Sequence, residues 1–209
     1  MRYYVESDGH VFLVERRGRL DLPHPDEVPF EIDRIAPLPA SEETWFCAPR
    51  LGEHPTDWIL KDDLVGMPDI DPLVHEAIHA SMPRVVVEGV CLDSDGRVLL
   101  VKGSRGYTAG RWTLPGGFLR FGETPTDGLI REVREEIGVE ARILEPIGVR
   151  SKLGAGSRLH WIMVFYRIGV DGELTPDPDE IAEARYVEPT DAVAWLGPEM
   201  AAVVRQVTR

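Results

Sequence analysis

The segment from Thr124 to Gly138 constrains the fold of this chain most, because it carries both a start and a stop. Thr124 is a helix cap, Pro125 suits the first helical position, Asp127 lies near the positive end of the helix dipole, and Gly138 supplies the stop. At about 100° per residue, Leu129, Ile130, Val133 and Ile137 fall within one arc, so that side packs on a sheet. The flanks supply the sheet. Apolar runs at residues 85–92 and 98–101 are separated by Asp93-Ser94-Asp95-Gly96, and further strand patterns lie at 141–152, 159–168 and 184–187. Met200, Val203, Val204 and Val207 then recur at helical spacing in a final helix over 198–207. This order predicts an α/β domain, a mixed sheet sandwiched by helices.

Upstream, Tyr3-Tyr4-Val5 and Val11-Phe12-Leu13-Val14 flank Ser7-Asp8-Gly9-His10, which reads as a hairpin because Asp-Gly supplies the positive φ of a tight turn. From Pro23 to Pro72 the chain is rich in proline and acid, with apolar islands at Trp45-Phe46 and Trp58-Ile59-Leu60, and predicts short strands and loops. Asp71 caps a helix beginning at Pro72 and closed by Pro83. The division that follows is a small β-rich accessory region at 1–82, with a linker helix at 72–82, ahead of a domain at 83–209. The expected role of the first region is to mediate a homodimer or to cover the site.

Composition narrows the function. With 43% apolar and 28% charged residues among 209, the chain has ordinary globular usage, which excludes disordered and low-complexity classes. A net charge of −13 disfavours a nucleic-acid partner, since counterion release needs clustered cations. No apolar run approaches the roughly 20 residues of a membrane span. The amino terminus turns acidic at once, so the expectation is a cytoplasmic protein. Cys47 and Cys91 lack CxxC spacing and are expected to be free thiols.

On the central helix Glu132, Glu135 and Glu136 stand at i, i+3 and i+4 beside the carbonyl end. Like charges at that spacing destabilise a helix by roughly 0.2–0.5 kcal/mol per pair, and the dipole adds to the penalty. Arg131 can pair with Glu135, yet one arginine does not neutralise three acids. A bound hard cation, Mg²⁺ or Mn²⁺, would account for the cluster; a solvated acidic face is the plain alternative. The wider pattern favours the cation. Gly117, five residues, Glu123, seven residues, and then Arg131-Glu132-Val133-Arg134-Glu135-Glu136-Ile137-Gly138-Val139 resemble the full signature of the Nudix hydrolase (MutT-like) family.

This resemblance implies a Nudix α/β/α sandwich that uses Mg²⁺ (or Mn²⁺) to hydrolyse a nucleoside diphosphate linked to another moiety. It implies Glu132, Glu135, Glu136 and the Gly116 carbonyl as metal ligands, with Gly117, Glu123 and Arg131 supporting them. Glu132 or Glu180 is implied as the base, Glu180 because it lies six residues before Tyr186. Arg105, Tyr107, Arg111 and Trp112, in the flexible basic loop ahead of the signature, are candidates for meeting a small-molecule nucleotide. An ordinary loop is the competing reading of that stretch. The substrate leans towards ADP-ribose or a nucleoside diphosphate sugar, or a nucleoside triphosphate. Two other classes compete: a zinc metallopeptidase through His75-Glu76-Ala77-Ile78-His79, which fits H-E-x-x-H, and a Nudix-like nucleotide-binding module without turnover.

Overall fold

The computed structural model describes all residues except 54, 56 and 155–157. Its contacts divide the chain into two compact units, Met1–Pro83 with Leu153–His160, and Arg84–Lys152 with Trp161–Arg209.

The first unit is β-rich. Strands β1 (Arg2–Ser7) and β2 (His10–Phe12) form the expected hairpin, and Asp8 and Gly9 both take positive φ, 50° and 79°. That pair of angles is the hairpin turn whose twist matches the strands. The structure then departs from the sequence expectation. Strand β2 ends at Phe12, and β3 (Val14–Arg16) and β4 (Arg19–Asp21) form a second hairpin around Arg17 and Gly18, both also at positive φ. Strands β5 (Ile32–Leu38), β6 (Thr44–Pro49) and β7 (Ile59–Leu60) complete a sheet of order β5-β6-β1-β2-β7, in which β1 runs parallel to β6. A short helix α1 (Lys61–Leu64) precedes α2 (Pro72–Ser81). The Asp71 carboxylate accepts from the Leu73 N–H at 2.9 Å, which caps α2 as its sequence requires. Leu73, Val74, Ala77 and Ile78 of α2 pack with Tyr4, Val11, Leu22 and Leu38.

The second unit is built on β8 (Arg84–Cys91) and β9 (Val98–Gly103), whose near-continuous apolar runs follow from burial on both faces. Alternate residues go to opposite cores. Val86, Val90, Val98 and Leu100 meet α4 (Pro189–Trp195) and α5 (Pro198–Val207), while Val87, Cys91, Leu99 and Val101 meet α3 (Pro125–Ile137). Strands β10 (Trp112–Thr113) and β14 (Ile181–Val187) flank β9 in a three-stranded sheet. The neighbouring sheet has the order β11-β8-β13-β12, with β11 (Gly116–Phe118), β12 (Ala141–Leu153) and β13 (His160–Val170). It is mixed: β8 is antiparallel to β11 and parallel to β13. Helix α4 was not expected from the sequence, although Pro189 at its first position is a start signal.

Helix α3 has the limits its caps dictate. Thr124 Oγ1 accepts from the Asp127 N–H at 3.3 Å, and Gly138 closes the helix in the left-handed conformation at φ 69°. Leu129, Val133 and Ile137 are fully buried, each contributing about 1.5–3 kcal/mol. Thr124→Ala is expected to remove about 1 kcal/mol, measured as a fall of a few degrees in melting temperature. Among the described residues no helix is long and apolar enough to cross a membrane.

Candidate active site

The acids of α3 are organised by one arginine. Arg131, with its side chain 14% exposed, donates through Nε and Nη2 to both oxygens of Glu123 at 2.7 and 2.8 Å. Its Nη1 reaches Glu132 at 2.7 Å and Glu135 at 2.9 Å, and Nη2 also reaches the Phe118 carbonyl at 2.9 Å. The planar fork thus ties the helix to the loop that enters it. The Arg120 backbone N–H donates to Glu123, whose carboxyl is pulled down to about 2 by Arg131 first and by this bond second. The Arg120 side chain takes Glu135 at 2.9 Å. Two arginines, the expected Arg131 and also Arg120, therefore answer part of the charge conflict.

Glu136 is left out of that network. Its Oε2 accepts the Gly116 N–H at 2.9 Å, and burial, followed by the charges of Glu132 and Glu180, pushes its carboxyl up to about 8. Burial also raises Glu132. At Gly117 a Cβ would stand 2.7 Å from the Glu132 carboxyl carbon, so a larger residue there would displace that carboxyl. At Gly116 a Cβ would stand 2.0 Å from the Val87 carbonyl oxygen, and φ is 144°.

These acids give a pH prediction. Glu136 moves from an ordinary 4.5 to about 8 on folding, so the fold holds a proton that the unfolded chain releases. In chelator, its contribution to stability is complete below about pH 4.5 and is lost as pH rises through about 8. Melting temperatures across that range are expected to fall, and Glu136→Gln to flatten the slope.

The acids open onto a cavity of about 860 Å³ whose lining includes Glu132, Glu136, Glu180, Gly116 and Gly117. The four residues expected to meet substrate, Arg105, Tyr107, Arg111 and Trp112, all line it. Tyr107 and Phe118 pack against Trp161 with ring centroids 5.5 and 5.3 Å apart, and Trp112 stacks on Trp195 at 5.5 Å. Arg105 forms an ion pair with Glu180, and the Ser104 N–H donates to the Glu180 carbonyl at 2.8 Å, so the two loops are joined. Glu135 is not among the lining residues; it turns to Arg120 and Arg131.

One acid of the cavity was missed from the sequence. Glu88, in β8, is 6% exposed, its Oε2 has no hydrogen-bond partner among the described residues, and burial raises its carboxyl well above the ordinary range. The signal was a lone acid within Val85-Val86-Val87-Glu88-Gly89-Val90.

The donor set suits a hard divalent cation. The lining offers carboxylate and backbone oxygens and neither histidine nor cysteine, and the buried Glu136 carboxyl, which no arginine pairs with among the described residues, can give up its proton to a cation. As the side chains stand, no three acid, histidine or cysteine groups converge as an ion cage among the described residues. The H-E-x-x-H residues are otherwise engaged: His75 Nε2 meets the Leu64 carbonyl at 3.1 Å and Glu76 accepts the Ser41 N–H at 2.7 Å. His79 lies in the last turn of α2. That arrangement does not support the zinc peptidase reading.

Residues 82–207 match the NUDIX domain family. The chain belongs to that family. Over 106 residues the Nudix domain is 31% identical to an ADP-ribose pyrophosphatase of Methanocaldococcus jannaschii, covering 51% of this chain and 62% of that one. It is also 31% identical over 106 residues to an NAD-capped RNA hydrolase NudC of Pseudomonas putida, covering 51% of this chain and 37% of the relative. The chain thus spans less than two thirds of either. A MutT NUDIX hydrolase from Burkholderia pseudomallei superposes with a TM-score of 0.53 at 27% identity, over 61% of this chain and 99% of that structure.

Proposed function

We propose that the protein is a pyrophosphohydrolase that uses a divalent cation, Mg²⁺ or Mn²⁺, to cleave the diphosphate of a nucleoside diphosphate linked to another moiety. The observation that carries this is the buried, incompletely paired acid cluster, of which Glu132 and Glu136 line a large cavity with aromatic walls. Glu132, Glu135, Glu136 and the Gly116 carbonyl would hold the ion, with Glu135 released from Arg120. The ion supplies charge neutralisation at the phosphates and an acidified water. Arg131 and Glu123 are positioning residues: their bidentate pair fixes the helix acids against the loop. Glu132 or Glu180 takes the proton of the attacking water. Arg105, paired with Glu180 before substrate arrives, turns to the phosphates, while Tyr107, Arg111 and Trp112 line the nucleoside side.

The substrate class we favour is ADP-ribose or a nucleoside diphosphate sugar, in line with the name of the Methanocaldococcus relative. A net charge of −13 weighs against an extended RNA track, although the name of the Pseudomonas relative makes a capped oligonucleotide worth including in a test. Location in the cytoplasm, the division at residue 83 and a homodimer through the first region belong to the same proposal.

The test is a panel of ADP-ribose, UDP-glucose, NADH, an NAD-capped oligonucleotide and nucleoside triphosphates, each with Mg²⁺, Mn²⁺ or chelator. Release of a nucleoside monophosphate from a diphosphate-linked substrate, abolished by chelator, is expected. Saturable binding with no product from any member would leave a binding module.

A further inference from the structure

Glu88 has no role in the reading above, and its position calls for one. On β8 it points to the same side as Val86 and Val90, which belong to the core beneath α4 and α5. A carboxyl buried there without a partner for Oε2 is unfavourable, and a leucine at that place would pack without that penalty. Lys152, the cation whose charge acts on it, has its own ion partner in Glu199 at 3.7 Å. Glu88 lines the cavity.

Its place along the cavity identifies what it can meet. The strand partner of Glu88 is Gly116, whose N–H holds Glu136; that is the phosphate side. Two residues earlier on the same strand face, Val86 lines the cavity together with Met163 and Trp161, which is the apolar and aromatic side. Glu88 therefore stands at the junction between the diphosphate and a planar group held by aromatic rings. A carboxyl keeps an acceptor oxygen whether or not it carries a proton.

We propose that Glu88 is a specificity-determining residue whose carboxyl, lining the cavity, accepts a hydrogen bond from an O–H or N–H donor on the nucleoside half of the substrate. This inference rests on the functional reading above. The donor is either a ribose hydroxyl or the exocyclic amine of the base, and the two sources are separable.

The experiment is calorimetric binding of AMP, 2′-deoxy-AMP, 3′-deoxy-AMP and purine riboside monophosphate to the full chain, in the wild type, Glu88→Leu and Glu88→Gln. Binding does not require turnover. In the wild type one analogue is expected to bind about 10- to 100-fold more weakly than AMP, the scale of leaving a buried acceptor without its donor. A weak deoxy analogue identifies the ribose, and a weak purine riboside analogue identifies the base amine. In Glu88→Leu the four affinities are expected to converge on the weakest, while Glu88→Gln, which keeps a carbonyl acceptor, retains part of the difference. A merely structural role would weaken all four equally, with their ratios preserved. Preserved ratios in Glu88→Leu, or four equal affinities in the wild type, would overturn the proposal. Absence of product across the substrate panel would instead remove the hydrolase reading, with these ratios still measurable.

Discussion

Glu136→Gln is expected to lower kcat by about 10²- to 10³-fold, the scale on which losing one charge-stabilising group acts, without loss of the fold. The amide keeps an oxygen for the Gly116 N–H, which donates to Glu136 at 2.9 Å in the wild type, so the loop stays tethered. What disappears is the negative charge available to a cation. Because burial already pushes the wild-type carboxyl up to about 8, the variant is expected to melt no lower than the wild type in chelator at pH 8. A divalent ion should raise the melting temperature of the wild type, since a ligand that binds only the folded state stabilises it by about 2.7 kcal/mol at a hundred times Kd. That shift should shrink in Glu136→Gln. The companion variant Glu135→Gln should lose turnover on a similar scale, its pairs with Arg120 and Arg131 weakened but not abolished. Unchanged turnover in both variants would remove these carboxylates from the reaction.

Gly116→Ala is the second large effect, and it acts on the fold. The glycine adopts φ 144°, and a Cβ would meet the Val87 carbonyl oxygen at 2.0 Å. That oxygen is backbone in the central strand β8, which cannot swing aside as a side chain would. The expected loss is about 3 kcal/mol or more, the range of combined backbone strain and overpacking. In a chain of this size it corresponds to a fall of about 6–12 °C in melting temperature, at 2–4 °C per kcal/mol. Addition of a divalent ion should not restore it. A melting curve matching the wild type would mean that the loop entering α3 is looser than its geometry indicates.

Local chemistry was readable where it decides the outcome by itself. Thr124, Pro125 and Gly138 bound α3 at both ends, Asp71 and Pro72 start α2, and Asp8-Gly9 makes the first hairpin. The second hairpin escaped because Arg17 gives no turn signal, although it takes a positive φ of 54° beside Gly18. The parallel pairings of β1 with β6 and β8 with β13 depend on long-range register, which no local pattern specifies. At the site, spacing singled out the acids of α3 and identified Arg131, but not the sharing of Glu135 with Arg120, which depends on how the loop folds back. Glu88 was passed over within an apolar run. Only the burial of both faces of β8 shows that an acid there is set among apolar core residues at the cavity wall.

The central claim is that the carboxylates of α3 hold a divalent ion for the reaction. Electron paramagnetic resonance of free Mn²⁺ titrated with the full chain and AMP tests it most directly. The account predicts that the wild type depletes the free-ion signal and that the Glu135→Gln, Glu136→Gln double variant, folded by circular dichroism, does not. Equal depletion by both proteins would contradict it.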